Sequence, residues 1–211
     1  MLKVFTLPVG PLQSNCYILN SNDNRAVVID PGDDFEKIDR HITSNRFTLN
    51  SIILTHGHFD HFGALNQLCE KYGCNVYIHS NDVLFLKDAE LNLSSRMNGR
   101  SVIFDGTVIP VTEQTVSFIG ADFRFIHTPG HTPGSVCILV EEMLFTGDTL
   151  FNLSVGNSFS PYGDLNLEIK SIKDKLFMLN DVTCYPGHGE KTSLEYEKKF
   201  NPYIRQGETW I

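Results

Sequence analysis

The chain has 211 residues, 41 % hydrophobic and 20 % charged, with a formal net charge of −8. That length fits one sizeable domain over residues 1–211, and the composition excludes a disordered chain. The acidic balance, with no basic run denser than Glu197-Lys198-Lys199, argues against a nucleic-acid partner, and no stretch approaches the roughly 18 apolar residues of a membrane span.

The N-terminal run Met1-Leu2-Lys3-Val4-Phe5 lacks the apolar core of a secretory leader, so a cytoplasmic protein is expected. Lys3–Leu7, Cys16–Asn20 and Ala26–Asp30 read as strands separated by Pro, Gly, Asn and Asp. Phe35, Ile38 and Ile42 follow at helical spacing, with His41 off that stripe and expected in solvent. Ser51–Thr55 is a short buried strand. Phe62, Leu65, Leu68, Cys69 and Tyr72 mark the next helix, with Gly73 as its cap. Val76–His79 is a strand, Leu84–Leu86 suggests a short helix, and Asn92–Ser101 reads as a loop. Thr107–Val111, Thr115–Ile119, Phe123–Thr128, Ser135–Val140 and Met143–Phe145 are β again. Ile169, Ile172, Leu176 and Leu179 mark a late helix, before a last strand at Val182–Tyr185 and a helical turn at Leu194–Phe200. The two halves repeat one plan, strands and then strand–helix alternation. Two facing sheets with helices outside would bury both, an α/β sandwich.

The five cysteines, Cys16, Cys69, Cys74, Cys137 and Cys184, include no C-x-x-C pair, so free packed thiols are expected rather than disulfides or a zinc knuckle. The histidines are more informative. His56-Gly57-His58-Phe59-Asp60-His61 directly follows a strand. His56 and His58 share an i, i+2 relation and can reach one ion, while Asp60 and His61 come a turn later and can face a second. His131 sits between two Pro-Gly pairs in Thr128-Pro129-Gly130-His131-Thr132-Pro133-Gly134. Asp148 ends a strand in Phe145-Thr146-Gly147-Asp148, and His188 follows another in Tyr185-Pro186-Gly187-His188-Gly189. Imidazole nitrogen with carboxylate oxygen suits zinc, with iron or manganese as alternatives. These groups are the right number for two divalent ions sharing one carboxylate. His41, His79 and His127 read as ordinary core or surface residues. Asp60 read alone is also a helix N-cap, and Asp148 alone a turn residue. Asp30, before Pro31-Gly32, reads equally as a turn residue or as an acceptor for a ligand's second ring N–H.

These motifs resemble the metallo-β-lactamase superfamily, and within it the short glyoxalase II-like (hydroxyacylglutathione hydrolase-like) hydrolases. The resemblance rests on Thr55–His61, His127–Ser135, Thr146–Phe151 and Pro186–Gly189. Asn15-Cys16-Tyr17, Asp30-Pro31-Gly32 and Asn201-Pro202-Tyr203 add softer matches. It implies a four-layer αββα sandwich with one ion on His56, His58 and His131, a second on Asp60, His61 and His188, and Asp148 bridging. The expected activity is metal-dependent hydrolysis of a small-molecule thioester or ester by a metal-bridging hydroxide. Asp60 and Asp148 are the carboxylates nearest the chemistry. Two other readings share the ligands: a mononuclear iron persulfide dioxygenase needing only His56, His131 and Asp148, and a non-catalytic metal-binding module. Two departures bear on substrate. Where such hydrolases often read Leu-Phe-x-Gly-Ser-Ile-Gly-Arg-Thr-Asp, this chain has Leu153, Asn157 and Phe159 in place of the Gly, Arg and Asp. The chain also ends soon after Tyr203, without the helical extension that binds glutathione in full-size glyoxalase II enzymes. Arg96 and Arg100, in the irregular 92–101 loop, read first as part of a solvated loop and otherwise as cations that an anionic substrate could meet.

Overall fold

The computed structural model describes residues 1–97, 99, 101–158 and 162–205. The strands run, in chain order, β1 (Lys3–Val9), β2 (Ser14–Asn20), β3 (Arg25–Ile29), β4 (Thr48–Ile53), β5 (Asn75–His79), β6 (Ile109–Val111), β7 (Gln114–Phe118), β8 (Ala121–His127), β9 (Val136–Val140), β10 (Met143–Gly147), β11 (Leu150–Phe151), β12 (Ser154–Val155), β13 (Thr183–Pro186) and β14 (Thr192–Ser193). β1 to β6 form one sheet in sequence order, and the second is ordered β14-β13-β10-β9-β8-β7. β3–β4–β5–β6 pair in parallel, as does β10 with β13. Those parallel pairs require crossovers, which the helices α1 (Phe35–Ser44), α2 (Leu65–Tyr72) and, after the short α3 (Ser94–Met97), α4 (Leu165–Ser171) supply.

Side-chain alternation decides the layering. On β2, β3 and β4, Tyr17, Leu19, Val27, Ile29 and Ile53 meet Phe123, Phe125, Val136, Ile138 and Phe145 of the other sheet in one buried cluster. Their neighbours Ile18, Val28 and Ile52 point the other way, onto Ile38 and Ile42 of α1 and Leu65 and Leu68 of α2. Ile126, Cys137 and Leu144 face outward from the second sheet onto Ile172, Leu176 and Leu194. Three apolar interfaces between four layers give the expected αββα sandwich.

Several details differ from the sequence reading. His41 is half-buried rather than out in solvent: its ring packs on Phe5 with centroids 4.7 Å apart. The stretch read as a loop contains α3, and the late helix passes into a π turn at Ile172–Leu176. Gly73 caps α2 at φ +61°, its N–H donating to Cys69 O at 2.9 Å. All five cysteines are free. Among the described residues no helix is long and apolar enough to cross a membrane.

One buried acid gives the fold a testable pH signature. Glu168 of α4 is fully buried, accepts from the Ser158 hydroxyl, and is pushed by burial from 4.5 up to about 8. Between those values the native state keeps a proton that the unfolded chain has lost, so stability falls as pH rises through the window. Glu168→Gln keeps the group neutral. Its melting temperature should match wild type near pH ~5 and exceed it by a few degrees near pH ~8.5, as thermal scans would measure.

Candidate metal centre

Every candidate ligand lies where a strand ends at one edge of the two sheets. β4 delivers Leu54 and Thr55, and the chain then turns through His56, Gly57 and His58 into a 3-10 turn at Phe59–His61. The turn is seated against the segment after β3, with Gly63 N–H donating to Gly32 O at 2.9 Å and Ala64 N–H to Pro31 O at 3.0 Å. The loop between β8 and β9 brings His131, the end of β10 brings Asp148, and the end of β13 brings His188. His56, His58, His61, His131 and Asp148 are all at most 9 % exposed, far from the usual state of such side chains.

The geometry sorts these residues into overlapping sets. Ligand atoms of His56, His58 and His131 lie within 4.8 Å of one another, as do those of Asp60, His61 and His188, and those of His56, His61 and Asp148. Asp148 lies between the first two sets. Its Oδ1 is 3.3 Å from His61 Nε2, and its Oδ2 is 3.6 Å from both His131 Nε2 and His188 Nε2. His127, His79 and His41 belong to none of these sets among the described residues. His127 instead stacks on His79 with centroids 4.1 Å apart and donates from Nε2 to Pro133 O at 2.9 Å.

Outer hydrogen bonds aim the rings. Asp30, at φ +51°, accepts from Thr55 N–H at 2.8 Å, from the Thr55 hydroxyl at 2.6 Å and from His61 Nδ1–H at 2.9 Å. With its proton committed to Asp30, the Thr55 hydroxyl accepts from His56 Nδ1–H at 3.1 Å. One carboxylate thus fixes two rings with Nε2 inward, so Asp30 acts both as the turn residue and as the acceptor. His188 Nδ1–H donates to Leu12 O at 3.2 Å, and the Ser14 hydroxyl donates to Asp60 Oδ2 at 2.8 Å. Neither Leu12 nor Ser14 carries a sequence signal, since their partners lie more than 40 residues away.

The residues fit metal ions on their own chemistry. His56 Nε2 is buried and, among the described residues, has no hydrogen-bond partner, while His61 Nε2 and Asp148 Oδ1 face each other at 3.3 Å without hydrogen-bond geometry. Polar atoms so placed cost roughly 1–3 kcal/mol each unless something compensates them. His58 Nδ1 faces His131 Nε2 at 2.9 Å, a pairing that calls for a shared proton or a common cation. Burial, reinforced by neighbouring imidazoles, pushes His56 well down and His58 down to about 3; burial also lowers His131. These three are therefore neutral at neutral pH, the state in which an imidazole can hold an ion. Around the second set the balance is opposite. Burial disfavours charge on His61 and His188, but Asp148 and Asp60 outweigh it and raise both. Burial would likewise raise Asp148, yet His61 and its neighbours hold it down at about 2. Asp60 is held well below the ordinary carboxylate range in the same way. Carboxylates that stay ionised while buried are suited to a cationic ligand.

Glycine makes room for the closest approach. A Cβ on Gly187 would sit 2.1 Å from Asp148 Oδ1 and 2.8 Å from His61 Cε1. Gly187→Ala should therefore displace Asp148, with at least half of the bound metal lost by elemental analysis; full retention would show that the neighbourhood gives way freely.

Comparisons with known proteins bear on the family and the fold. The family model described as "Metallo-beta-lactamase superfamily" matches residues 9–188. The chain belongs to the metallo-β-lactamase superfamily. Its superfamily relatives include the "Probable metallo-hydrolase YqgX" of Bacillus subtilis (strain 168), 36 % identical over 96 % of this chain and 98 % of that one. "Hydroxyacylglutathione hydrolase GloC" of Haemophilus influenzae is 31 % identical, again over 96 % and 98 %. Among solved structures, the BLEG-1 B3 metallo-beta-lactamase superposes with a TM-score of 0.92 at 35 % identity, covering 97 % of this chain and 99 % of that one. TTHA1623, solved in a di-iron-bound form, superposes with a TM-score of 0.85 at 35 % identity, over 94 % and 99 %.

The metallo-β-lactamase edge also forms a cleft of about 480 Å³. His58, Asp60, His131, Asp148 and His188 line one side, and Leu12, Phe59, Leu93, Met97 and Phe151 supply apolar surface. Asn157 and Arg96 complete the lining. Arg96 does not face the cleft as a free cation: its Nε donates to Glu90 Oε2 at 3.0 Å. Arg100 and Phe159 lie outside the described residues.

Proposed function

We propose that this chain is a two-metal hydrolase of small thioesters or related esters. The observation that carries the reading is the position of Asp148, whose carboxylate lies within 3.6 Å of His131 from one proposed ligand set and of both His61 and His188 from the other. His56, His58 and His131 would hold one divalent ion, Asp60, His61 and His188 the other, with Asp148 shared. Zinc suits the donors, and iron does too. When bound, such ions acidify a water to near neutral pH and polarise a carbonyl.

The chain's own residues supply the rest. The neutral histidine trio and the ionised Asp60 and Asp148 need no proton removed at neutral pH, whereas His61 and His188, raised by those carboxylates, would release a proton on binding an ion. Asp30 and Thr55 fix the aim of two rings before substrate arrives, so no reorganisation is needed at the moment of reaction. The apolar wall of Leu12, Phe59, Leu93, Met97 and Phe151 receives the acyl or thiol portion and keeps water away from it. Asp60, with His61 and His188, would hold the ion that stabilises a departing thiolate. The relative whose name specifies hydroxyacylglutathione hydrolysis supports a thioester, and the presence of Asp60, His61 and His188 favours two ions over a mononuclear dioxygenase.

The test is a panel of thioesters, lactones and esters that includes S-lactoylglutathione, run on protein of measured metal content. The expected result is about two ions per chain and thioester turnover that a chelator abolishes and metal restores. Fewer than two ions after zinc, iron and manganese loading, or oxygen uptake with glutathione persulfide and no hydrolysis, would overturn the reading.

A further inference from the structure

Asp82 is a completely buried carboxylate that the metal sets do not use. It ends the 3-10 turn Ser80–Asp82, which follows β5 of the first sheet. Its two oxygens reach two different loops. Gly57 N–H, between His56 and His58, donates to Oδ2 at 2.9 Å. The Thr132 hydroxyl donates to the same oxygen at 2.7 Å, and Gly134 N–H donates to Oδ1 at 2.6 Å. Thr132 and Gly134 belong to the loop that carries His131, which hangs from the second sheet. Three donors on one carboxylate therefore join the segment that holds two ligands to the segment that holds the third.

The surroundings are built around that approach. A Cβ on Gly134 would lie 2.4 Å from Asp82 Oδ1, and a Cβ on Gly57 would lie 2.4 Å from Phe85 Cβ and 3.2 Å from Asp82 O. The turn that presents Asp82 is itself fixed, with Asn81 N–H donating to His79 Nδ1 at 3.3 Å. Asn81 Nδ2 adds a weaker tie to Pro133 O, also at 3.3 Å. Holding the sheets together does not fall to Asp82 alone, because Val136 N–H donates to Thr55 O at 2.9 Å beside it and the intersheet core is extensive. What its three bonds set is the distance and angle between the two ligand loops.

We propose that Asp82 is a positioning residue that clamps the His56–His58 turn to the His131 loop and so presets the three-histidine half of the centre, leaving the Asp60–His61–His188 half untouched. The consequence for metal rests on the two-metal reading; the clamp itself does not.

The experiment compares wild type with Asp82→Asn and Thr132→Val. In Asp82→Asn, whichever way the amide lies, an NH2 faces a backbone N–H or the Thr132 hydroxyl, so the clamp is disrupted with little change of volume. Thr132→Val removes one of the three donors and leaves the carboxylate. Two readouts are taken. In the metal-free protein, amide hydrogen exchange at Gly57 and Gly134 should quicken roughly tenfold or more in Asp82→Asn, and less in Thr132→Val, with the amides of β2, β3 and β9 unchanged. In a two-step zinc titration against a chromophoric chelator, the step abolished by His58→Ala should weaken by about 10–100-fold in Asp82→Asn. The step abolished by His188→Ala should stay within about twofold. Wild-type exchange rates at both glycines would overturn the clamp, and equal weakening of both steps would overturn its selective role. If wild type binds no metal, the two-metal reading fails, and the exchange measurement alone decides the clamp.

Discussion

Asp148→Ala should yield a folded chain whose hydrolytic turnover has fallen by at least about a hundredfold, the scale for removing one group that stabilises charge at a reacting centre. The physical case is positional. Asp148 is the carboxylate within 3.6 Å of ring nitrogens from both halves of the centre, and Ala offers neither half an oxygen. The same substitution removes the buried negative charge that most strongly favours positive charge at His61, so cations bound there would be less well compensated. Metal content should therefore fall below two ions per chain alongside the rate. Elemental analysis and steady-state hydrolysis on the best substrate of the panel provide the check, with circular dichroism to establish that the variant is folded. An unchanged rate would remove Asp148 from the machinery and the shared-carboxylate reading with it.

Asp30→Ala should cost roughly 10–100-fold in metal affinity although Asp30 is not itself proposed as a ligand. Its loss leaves Thr55 N–H and His61 Nδ1–H without their acceptor in a place that water does not reach; Asp30 is 1 % and Thr55 2 % exposed. Each orphaned donor costs about 1–3 kcal/mol, so a melting temperature several degrees lower is expected as well. Asp30→Asn separates the two effects. An amide oxygen can still accept from Thr55 N–H, which recovers stability, but the amide nitrogen then confronts the Thr55 hydroxyl or His61 Nδ1–H and leaves ring aim impaired. Stability rescued without affinity is the expected pattern. Affinity rescued together with stability would mean that Asp30 matters for the fold and not for the aim of the rings.

The layers and the gathering of the candidate ligands at one edge were legible in the sequence for related reasons. Strand alternation such as Tyr17/Leu19 against Ile18 has to place the two sets on opposite faces, and the sites follow where such strands stop at Gly and Pro. Asp30 was legible only as a pair of alternatives, because a turn carboxylate and one that accepts from a distant ring leave the same trace in one dimension. Asp82 left no trace, because its donors lie 25, 50 and 52 residues away and its local sequence is an ordinary polar turn. The irregular stretch between β5 and β6 was unreadable for another reason. Its backbone is satisfied by side chains rather than by a periodic ladder: Asn92 Nδ2 donates to Phe85 O at 3.0 Å and to Val102 O at 2.8 Å, while Val102 N–H donates to Ser94 Oγ at 3.0 Å. Periodicity cannot reveal structure held in that way. His41 was misplaced because a helix stripe reports only its own helix, and the ring packs on Phe5 of β1.

The bond from His188 to Leu12 has a consequence for how such a protein can change its diet. His188 leans on the main-chain carbonyl at position 12, while the side chain of that residue faces the cleft. Any amino acid at 12 offers the same carbonyl, and among the described residues the segment holding Leu93 and Met97 contributes to none of the ligand sets. Selection can therefore redraw the walls that would meet the organic part of a substrate while the proposed metal centre stays as it is. A library confined to positions 12, 93 and 97 is the natural place to look for new specificities.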